Sequence, residues 1–257
     1  MHGVEELARQ LGIGHGQVER GALTQHVWPE RYVRNSRTLS LEDQLTMLDT
    51  TVAVVGLGGL GGIAVDTLAR LGVGTLTLID GDAFEESNLN RQMLATVALM
   101  GTTKVEAAAR RVEAVNPAVT ACPHEQFLTA ENAHALLSGA SLVMDCLDTI
   151  SARLTLEKAA RSLGIPLVSG AVAGLSGQVT VVYPKDPGLA ALYGSADAAP
   201  ERGIETALGN LAPAVNIIAS LQCTEVVKVI LDRPGQLRNR LLLMDLADNS
   251  FDVMELG

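Results

Sequence analysis

Apolar positions repeat along this chain in two rhythms. From residue 51 onward, short uninterrupted apolar runs alternate with stretches in which apolar side chains recur every three or four positions. The first rhythm suits strands buried on both faces, the second helices with one buried stripe. The strands predicted are Val52–Val55, Leu76–Ile79, a weak Val119–Cys122, Leu142–Asp145 and Leu167–Ser169. Between them lies a helix carrying Leu60, Ala64, Leu68 and Leu71 on one face and closed by Gly72, since glycine commonly ends helices. Lys104–Val115, stopped by Asn116-Pro117, a short Glu131–Leu137, and Ser151–Leu163, closed by Gly164 and Pro166, continue the alternation. Strand and helix in turn imply a doubly wound parallel sheet.

Both ends break that rhythm. Residues 1–30 read as an N-terminal extension with a short helix at Val4–Leu11 and a Gly-rich break, before a helix bearing Leu41, Gln44, Leu45 and Leu48. Past Gly170 come a longer strand, Gln178–Tyr183, and an irregular crossover loop at about 184–209. A helix from about Pro213 follows, then a strand pair, Arg240–Asp245 and Phe251–Leu256, around Asn249-Ser250. The expected architecture is an α/β, Rossmann-like, doubly wound mixed sheet, parallel in its first half with antiparallel C-terminal strands. A single domain, 31–257, would carry it.

Composition narrows the chemistry. Hydrophobic residues make up 47% of the 257 but aromatics only 3%, so the core is aliphatic. Nineteen basic against 29 acidic residues give a net charge of −10, and the densest basic cluster is Arg31, Arg34 and Arg37. This argues against a nucleic-acid grip, which needs a basic stripe. Cys122, Cys146 and Cys223 stand apart without a CxxC pair, which argues against a disulfide framework and a cysteine-based zinc site and suits a reducing, cytoplasmic setting. No signal-peptide run opens the chain, and Leu211–Leu231, interrupted by Asn216, Gln222, Glu225 and Lys228, reads as a core helix rather than a membrane span.

Three motifs carry chemistry. Gly56-Leu-Gly58-Gly59-Leu-Gly61 follows a strand and opens a helix: Gly56 permits the turn, Gly58 close approach of a phosphate, Gly61 tight helix packing. The helix N-terminus there offers N–H donors and partial positive charge. Asp80, at the end of the next strand, is placed to accept ribose hydroxyls. Asp82, Asn88, Arg91, Gln92 and Lys104 come next. Arg91 is suited to a bidentate phosphate grip and Lys104 to a point charge, as a nucleoside triphosphate needs; the bland reading is two solvated surface cations. The third is Asp145-Cys-Leu-Asp148 with Arg153. Asp148 is either a Mg²⁺ ligand beside phosphate or a helix N-cap, and Arg153 would ordinarily form a helix-surface ion pair.

Together these pieces resemble the MoeB/ThiF/HesA family, relatives of the ubiquitin-activating enzymes, over about Arg31 to Leu231. The family's Arg-Tyr-x-Arg-Gln reads Arg31-Tyr-Val-Arg34-Asn35, its GxGGLG is Gly56–Gly61, and its strand-end acid is Asp80. Its Asn-Leu-x-Arg-Gln is Asn88–Gln92, its helix-start lysine Lys104, and its Asp-Asn-x-x-x-Arg is Asp148-Thr149 through Arg153. The resemblance implies an adenylyltransferase that uses ATP and Mg²⁺ on the C-terminal glycine of a small ubiquitin-like sulfur-carrier protein ending in Gly-Gly. Asn88, Arg91 and Lys104 would hold the triphosphate, the glycines the phosphates, and Asp148 the Mg²⁺. Arg34 would reach the ATP of the partner in a homodimer.

Departures matter too. Many members hold zinc with two CxxC pairs, one just after the Gln178–Tyr183 strand; Gly188 and Ala191 stand there, so no zinc is expected. The stretch 200–206 lacks the cysteine that some members carry in the crossover loop, and Cys223 reads as packing. Competing readings are activation of a tRNA base or a peptide carboxylate, an NAD-dependent oxidoreductase, in which Arg91 and Lys104 would be idle, and a non-catalytic scaffold.

Overall fold

A computed structural model describes residues 2–194 and 208–256. Among these, eight strands form one sheet: β1 Thr51–Val55, β2 Thr75–Ile79, β3 Thr120–His124, β4 Leu142–Asp145, β5 Leu167–Ala173, β6 Ser176–Val182, β7 Arg240–Asp245 and β8 Ser250–Glu255. Their spatial order is β3-β2-β1-β4-β5-β6-β7-β8. Pairing is parallel from β3 to β5 and antiparallel from β5 to β8, the expected mixed sheet.

The central strands are aliphatic because helices cover both their faces. Val52, Val54, Leu76, Leu78 and Met144 point into one cluster, shared with α4 Gly59–Leu71, α5 Lys104–Val115 and α9 Ala212–Ile230. Ala53, Val55, Ile79 and Val143 point into the other, under α6 Ala133–Leu136 and α7 Ile150–Leu163. Alternation along each strand thus divides the core in two. At one rim of the sheet, β3 carries Pro123 opposite Leu78 of β2. At the other, β8 is paired, among the described residues, only with β7.

α9 is, among the described residues, the one helix long and apolar enough to cross a bilayer. Instead it packs on α4 and β5, burying Ala214, Val215, Ile218, Ala219, Cys223 and Val226. Burial pushes the Cys223 thiol up to about 12, consistent with a packing role.

The N-terminal stretch departs from expectation. Besides α1 His2–Leu11 there is a second helix, α2 His15–Thr24, which packs on α3 Leu41–Leu48. Glu19 of α2 is wholly buried and lies 2.9 Å from Arg31 Nε. Arg31 Nη1 donates to Asn116 Oδ1 (2.5 Å), and Asn116 Nδ2 donates to the buried Tyr32 hydroxyl (2.7 Å) and to Ala69 O (2.8 Å). Burial pushes the Glu19 carboxyl up, partly offset by Arg31. α2 is therefore tied to the sheet domain through Glu19. The short α8 Ala190–Tyr193 falls in the expected crossover loop, whose stretch 195–207 lies outside the described residues.

Candidate functional site

The glycine loop after β1 contains two kinds of glycine. Gly56 has φ +87°, and a Cβ on Gly61 would sit 1.8 Å from Gly56 O; both are demanded by the close seating of α4 on the strand ends. A Cβ on Gly58 would meet only Gln92, at an ordinary 3.5 Å. Among the described residues no neighbour requires glycine there, so its bareness opens the backbone to a cavity. Gly58 is also the N-cap of α4 and supplies no side-chain cap, leaving first-turn N–H groups for a ligand. Gly59 lines the same cavity, its hypothetical Cβ 2.8 Å from Val215 Cγ1.

Asp80 sits at the end of β2 and locks this loop. Its Oδ2 accepts from Leu57 N (2.6 Å) and its Oδ1 from Asp82 N (2.8 Å). Burial pushes its carboxyl up, with Lys104 and the two N–H groups pulling the other way. Asp82 is exposed and binds Lys104 Nζ at 2.8 Å. The bland reading of Lys104 as a solvated surface cation does not hold, because its side chain is only 8% exposed. As the first residue of α5 it is walled in by the helix and held by Asp82, and its ammonium borders the cavity. Arg91 is the more open cation: Nη1 donates to Ser87 O (3.1 Å) and Asn90 Oδ1 (2.8 Å), and the side chain lines the cavity.

Asn88 is not brought to the cavity wall. Its Oδ1 accepts from Glu85 N (3.1 Å) and its Nδ2 donates to Ser87 Oγ (3.4 Å), so it braces the turn that presents Arg91. Gln92 is buried against Gly58, and its Oε1 has no hydrogen-bond partner among the described residues. Arg34 is exposed on a 3-10 turn, Glu30–Asn35, outside this cavity.

After β4, Thr149 rather than Asp148 caps α7, its Oγ1 accepting from Ala152 N (3.4 Å). The N-cap reading of Asp148 is thereby replaced: its carboxylate is exposed and lines the cavity. Arg153 also departs from the surface reading. It is buried, donating from Nη1 to Asp145 Oδ2 (2.8 Å) and Gly170 O (2.7 Å), and from Nη2 to Leu147 O. Ser169 Oγ donates to the same Asp145 oxygen (2.6 Å), and Gln222 Nε2 to Asp145 O (2.9 Å). This network, invisible in the sequence because its members are scattered from 145 to 222, fixes the strand ends under the cavity.

The cavity encloses about 640 Å³ along the C-terminal ends of the parallel strands, within the range of small-molecule sites. Phe127, Leu147, Gln178 and Tyr193 complete its wall; none was singled out by sequence. For a divalent cation beside phosphate, the single free carboxylate of Asp148 is a fitting donor, because Mg²⁺ takes one or two carboxylates and keeps phosphate and water oxygens. Zinc is not matched: Gly188 and Ala191 offer no ligand, the three cysteines lie on β3, after β4 and on α9, and no cluster of three His, Cys, Asp or Glu exists among the described residues.

The ThiF family profile matches residues 32–257. The chain belongs to the ThiF family. This ThiF chain is 37% identical over 216 residues to the SAMP-activating enzyme E1 of Haloferax volcanii, covering 83% of this chain and 79% of that one. It is 34% identical over 226 residues to the molybdopterin-synthase adenylyltransferase of Escherichia coli, covering 86% and 88%. Among solved structures, E. coli MccB with ATP shares the fold at TM-score 0.76 and 20% identity, covering 89% of this chain and 72% of that one. The E. coli tRNA N6-threonylcarbamoyladenosine dehydratase TcdA in complex with ATP does so at 0.68 and 24%, covering 80% and 95%. The ThiF chain is an enzyme, a nucleotidyltransferase of the adenylyltransferase kind.

Proposed function

We propose that the enzyme uses ATP to adenylate the C-terminal glycine carboxylate of a small ubiquitin-like sulfur carrier ending in Gly-Gly, releasing pyrophosphate. The observation that carries this reading is the convergence of Arg91, Lys104, the α4 N-terminus and the free Asp148 carboxylate on one cavity that also contains Asp80. An α-carboxyl of pKa ~3.5 is already ionised at neutral pH, so the nucleophile needs no general base. The obstacle is repulsion between that carboxylate and the polyphosphate.

In this reading Asp80 accepts the ribose hydroxyls, and the bare backbone at Gly58, with Gly59 beside it and Gly56 and Gly61 shaping the turn, takes the phosphates. Lys104, released from Asp82 by the stronger phosphate charge, and Arg91 neutralise charge that builds on the bridging and leaving oxygens. Gln92 presents its unpartnered oxygen to a donor on the nucleotide or the carrier tail. Asp148 would hold Mg²⁺, which supplies charge neutralisation at the phosphates when bound. The carboxylate oxygen bonds to the α-phosphorus as the α–β phosphoanhydride breaks, giving the acyl-adenylate and pyrophosphate. Arg34 would act on the nucleotide of a second copy in a homodimer, which accounts for its exposure outside the chain's own cavity. The relatives named for SAMP activation and molybdopterin synthase support the carrier class, and a cytoplasmic setting suits it.

ATP–pyrophosphate exchange that appears only on adding a Gly-Gly carrier is the expected result. Arg91→Ala should lower the exchange rate by about 10²–10³-fold with the melting temperature unchanged, as for removal of one charge-stabilising donor. Absence of exchange with every Gly-Gly carrier, together with ATP cleavage stimulated by tRNA, would favour activation of a tRNA base instead.

A further inference from the structure

Away from the glycine loop, a second group of charged side chains secures the chain where it leaves β6. Asp186 is buried, and its Oδ2 accepts from Tyr183 N (3.0 Å). Arg238, just before β7, grips the same carboxylate through two nitrogens, Nη2 to Oδ1 (2.8 Å) and Nε to Oδ2 (3.0 Å), while its guanidinium lies 4.5 Å over the Tyr183 ring. From the other side, Arg161 of α7 donates to Pro184 O (2.8 Å) and Asp186 O (2.6 Å). It also donates from Nε to Glu157 Oε1 (2.9 Å), and Glu157 Oε2 accepts from Leu189 N (3.0 Å). The backbone lies directly on this pair: a Cβ on Gly188, at φ +81°, would sit 1.9 Å from Glu157 Oε1. Four residues after the anchored Leu189, Tyr193 enters the cavity wall, where its hydroxyl accepts from Gln178 Nε2 (2.7 Å).

We propose that Glu157, Arg161, Asp186 and Arg238 form a metal-free clasp that fastens residues 183–193 to the sheet and thereby positions Tyr193 against Gln178 in the cavity wall. The resemblance implies a zinc-binding CxxC at this place in many relatives; here Gly188 and Ala191 occupy it, Glu157 and Arg161 of α7 hold three backbone groups of the segment, and its own Asp186, gripped by Arg238, holds a fourth. A bidentate arginine is suited to this, since its fork meets a carboxylate along two parallel bonds. The clasp stands on this geometry and does not depend on the identity of the adenylated partner.

The test uses the full chain without any carrier. Hydrogen exchange is followed at the Tyr183 and Leu189 amides, and fluorotyrosine is incorporated at the three tyrosines, Tyr32, Tyr183 and Tyr193. The Tyr193 resonance is assigned with Tyr193→Phe. Arg238 is half-exposed, so Arg238→Ala leaves the core intact; it should speed exchange at Tyr183 by about tenfold, as expected for losing charge-assisted hydrogen bonds. It should also move the Tyr193 fluorine signal toward its solvent-exposed position, with β1 amides unchanged. Arg238→Lys, which keeps the charge but loses the fork, should fall between the two. A chelator such as 1,10-phenanthroline should alter neither readout. Stoichiometric zinc in the purified chain, chelator-sensitive exchange, or a Tyr193 signal indifferent to Arg238→Ala would overturn the proposal.

Discussion

Val52, Ala53, Val54 and Val55 of β1 are sealed between two helical layers, whereas Phe251, Val253 and Met254 of β8 are about half-exposed. The parallel strands spend their side chains on the core, so the chemistry beside them comes from the loops at their C-terminal ends: Gly58, Asp80, Lys104, Asp148. The antiparallel strands keep one face free, and they reach the same cavity directly from strand positions, Gln178 of β6, Leu243 and Asp245 of β7, Ser250 and Asp252 of β8. One wall is made of loops that can wrap phosphate; the other is a sheet surface that can receive an extended chain. The proposed reaction, which brings a nucleotide and a peptide tail together, would use both kinds of wall.

If the loops depend on a rigid buried base, breaking that base should be severe. Arg153→Ala strands Asp145 as an unpaired buried charge, and an expected loss of about 3–5 kcal/mol follows, read by urea unfolding. A loss below about 1 kcal/mol would mean that the strand ends do not rely on this pair. A smaller effect concerns Asp80. Because burial raises its pKa, the carboxylate proposed to accept the ribose hydroxyls is lost on acidification sooner than an ordinary aspartate would be. ATP affinity by calorimetry should therefore weaken as pH falls through this raised value, up to about tenfold per pH unit below it, and Asp80→Asn should flatten the profile. Folding runs the other way: the contribution of this group to stability is fully present below the ordinary aspartate pKa and fades as pH rises through the folded one. The smallest effect belongs to the open half. Phe251→Ser should change stability by no more than about 0.5 kcal/mol, and a larger loss in a thermal melt would show that β8 is packed like β1.

Legibility followed the same division. α5 and β4 appear with the bounds that their periodicity predicts, because buried aliphatic runs and terminal signals such as Asn116-Pro117 act locally. α2 was missed: Gly16 and Gly21 lower its propensity, and its helix rests on tertiary burial of Val18, Glu19 and Leu23. β5 continues past Ser169 to Ala173 because a hairpin at Gly174 pairs it with β6, a partner its own composition does not announce. In the site, the glycine loop, Asp80 and Lys104 could be named from spacing. The burial of Lys104 and Arg153 could not, since an arginine eight residues after an aspartate reads alike on a surface and in a core. Asp186 and Arg238, 52 positions apart, meet only through the fold.

The proline in β3 has a bearing on how copies of this enzyme behave when concentrated. A rim strand normally advertises a ladder of free amides to any passing strand, and Pro123 removes one of them at that end of the sheet. Strand-to-strand growth is then disfavoured at the β3 rim relative to the β8 rim. Two molecules joined there would each turn a proline-blunted side outward, and such a pair has poor means of recruiting a third.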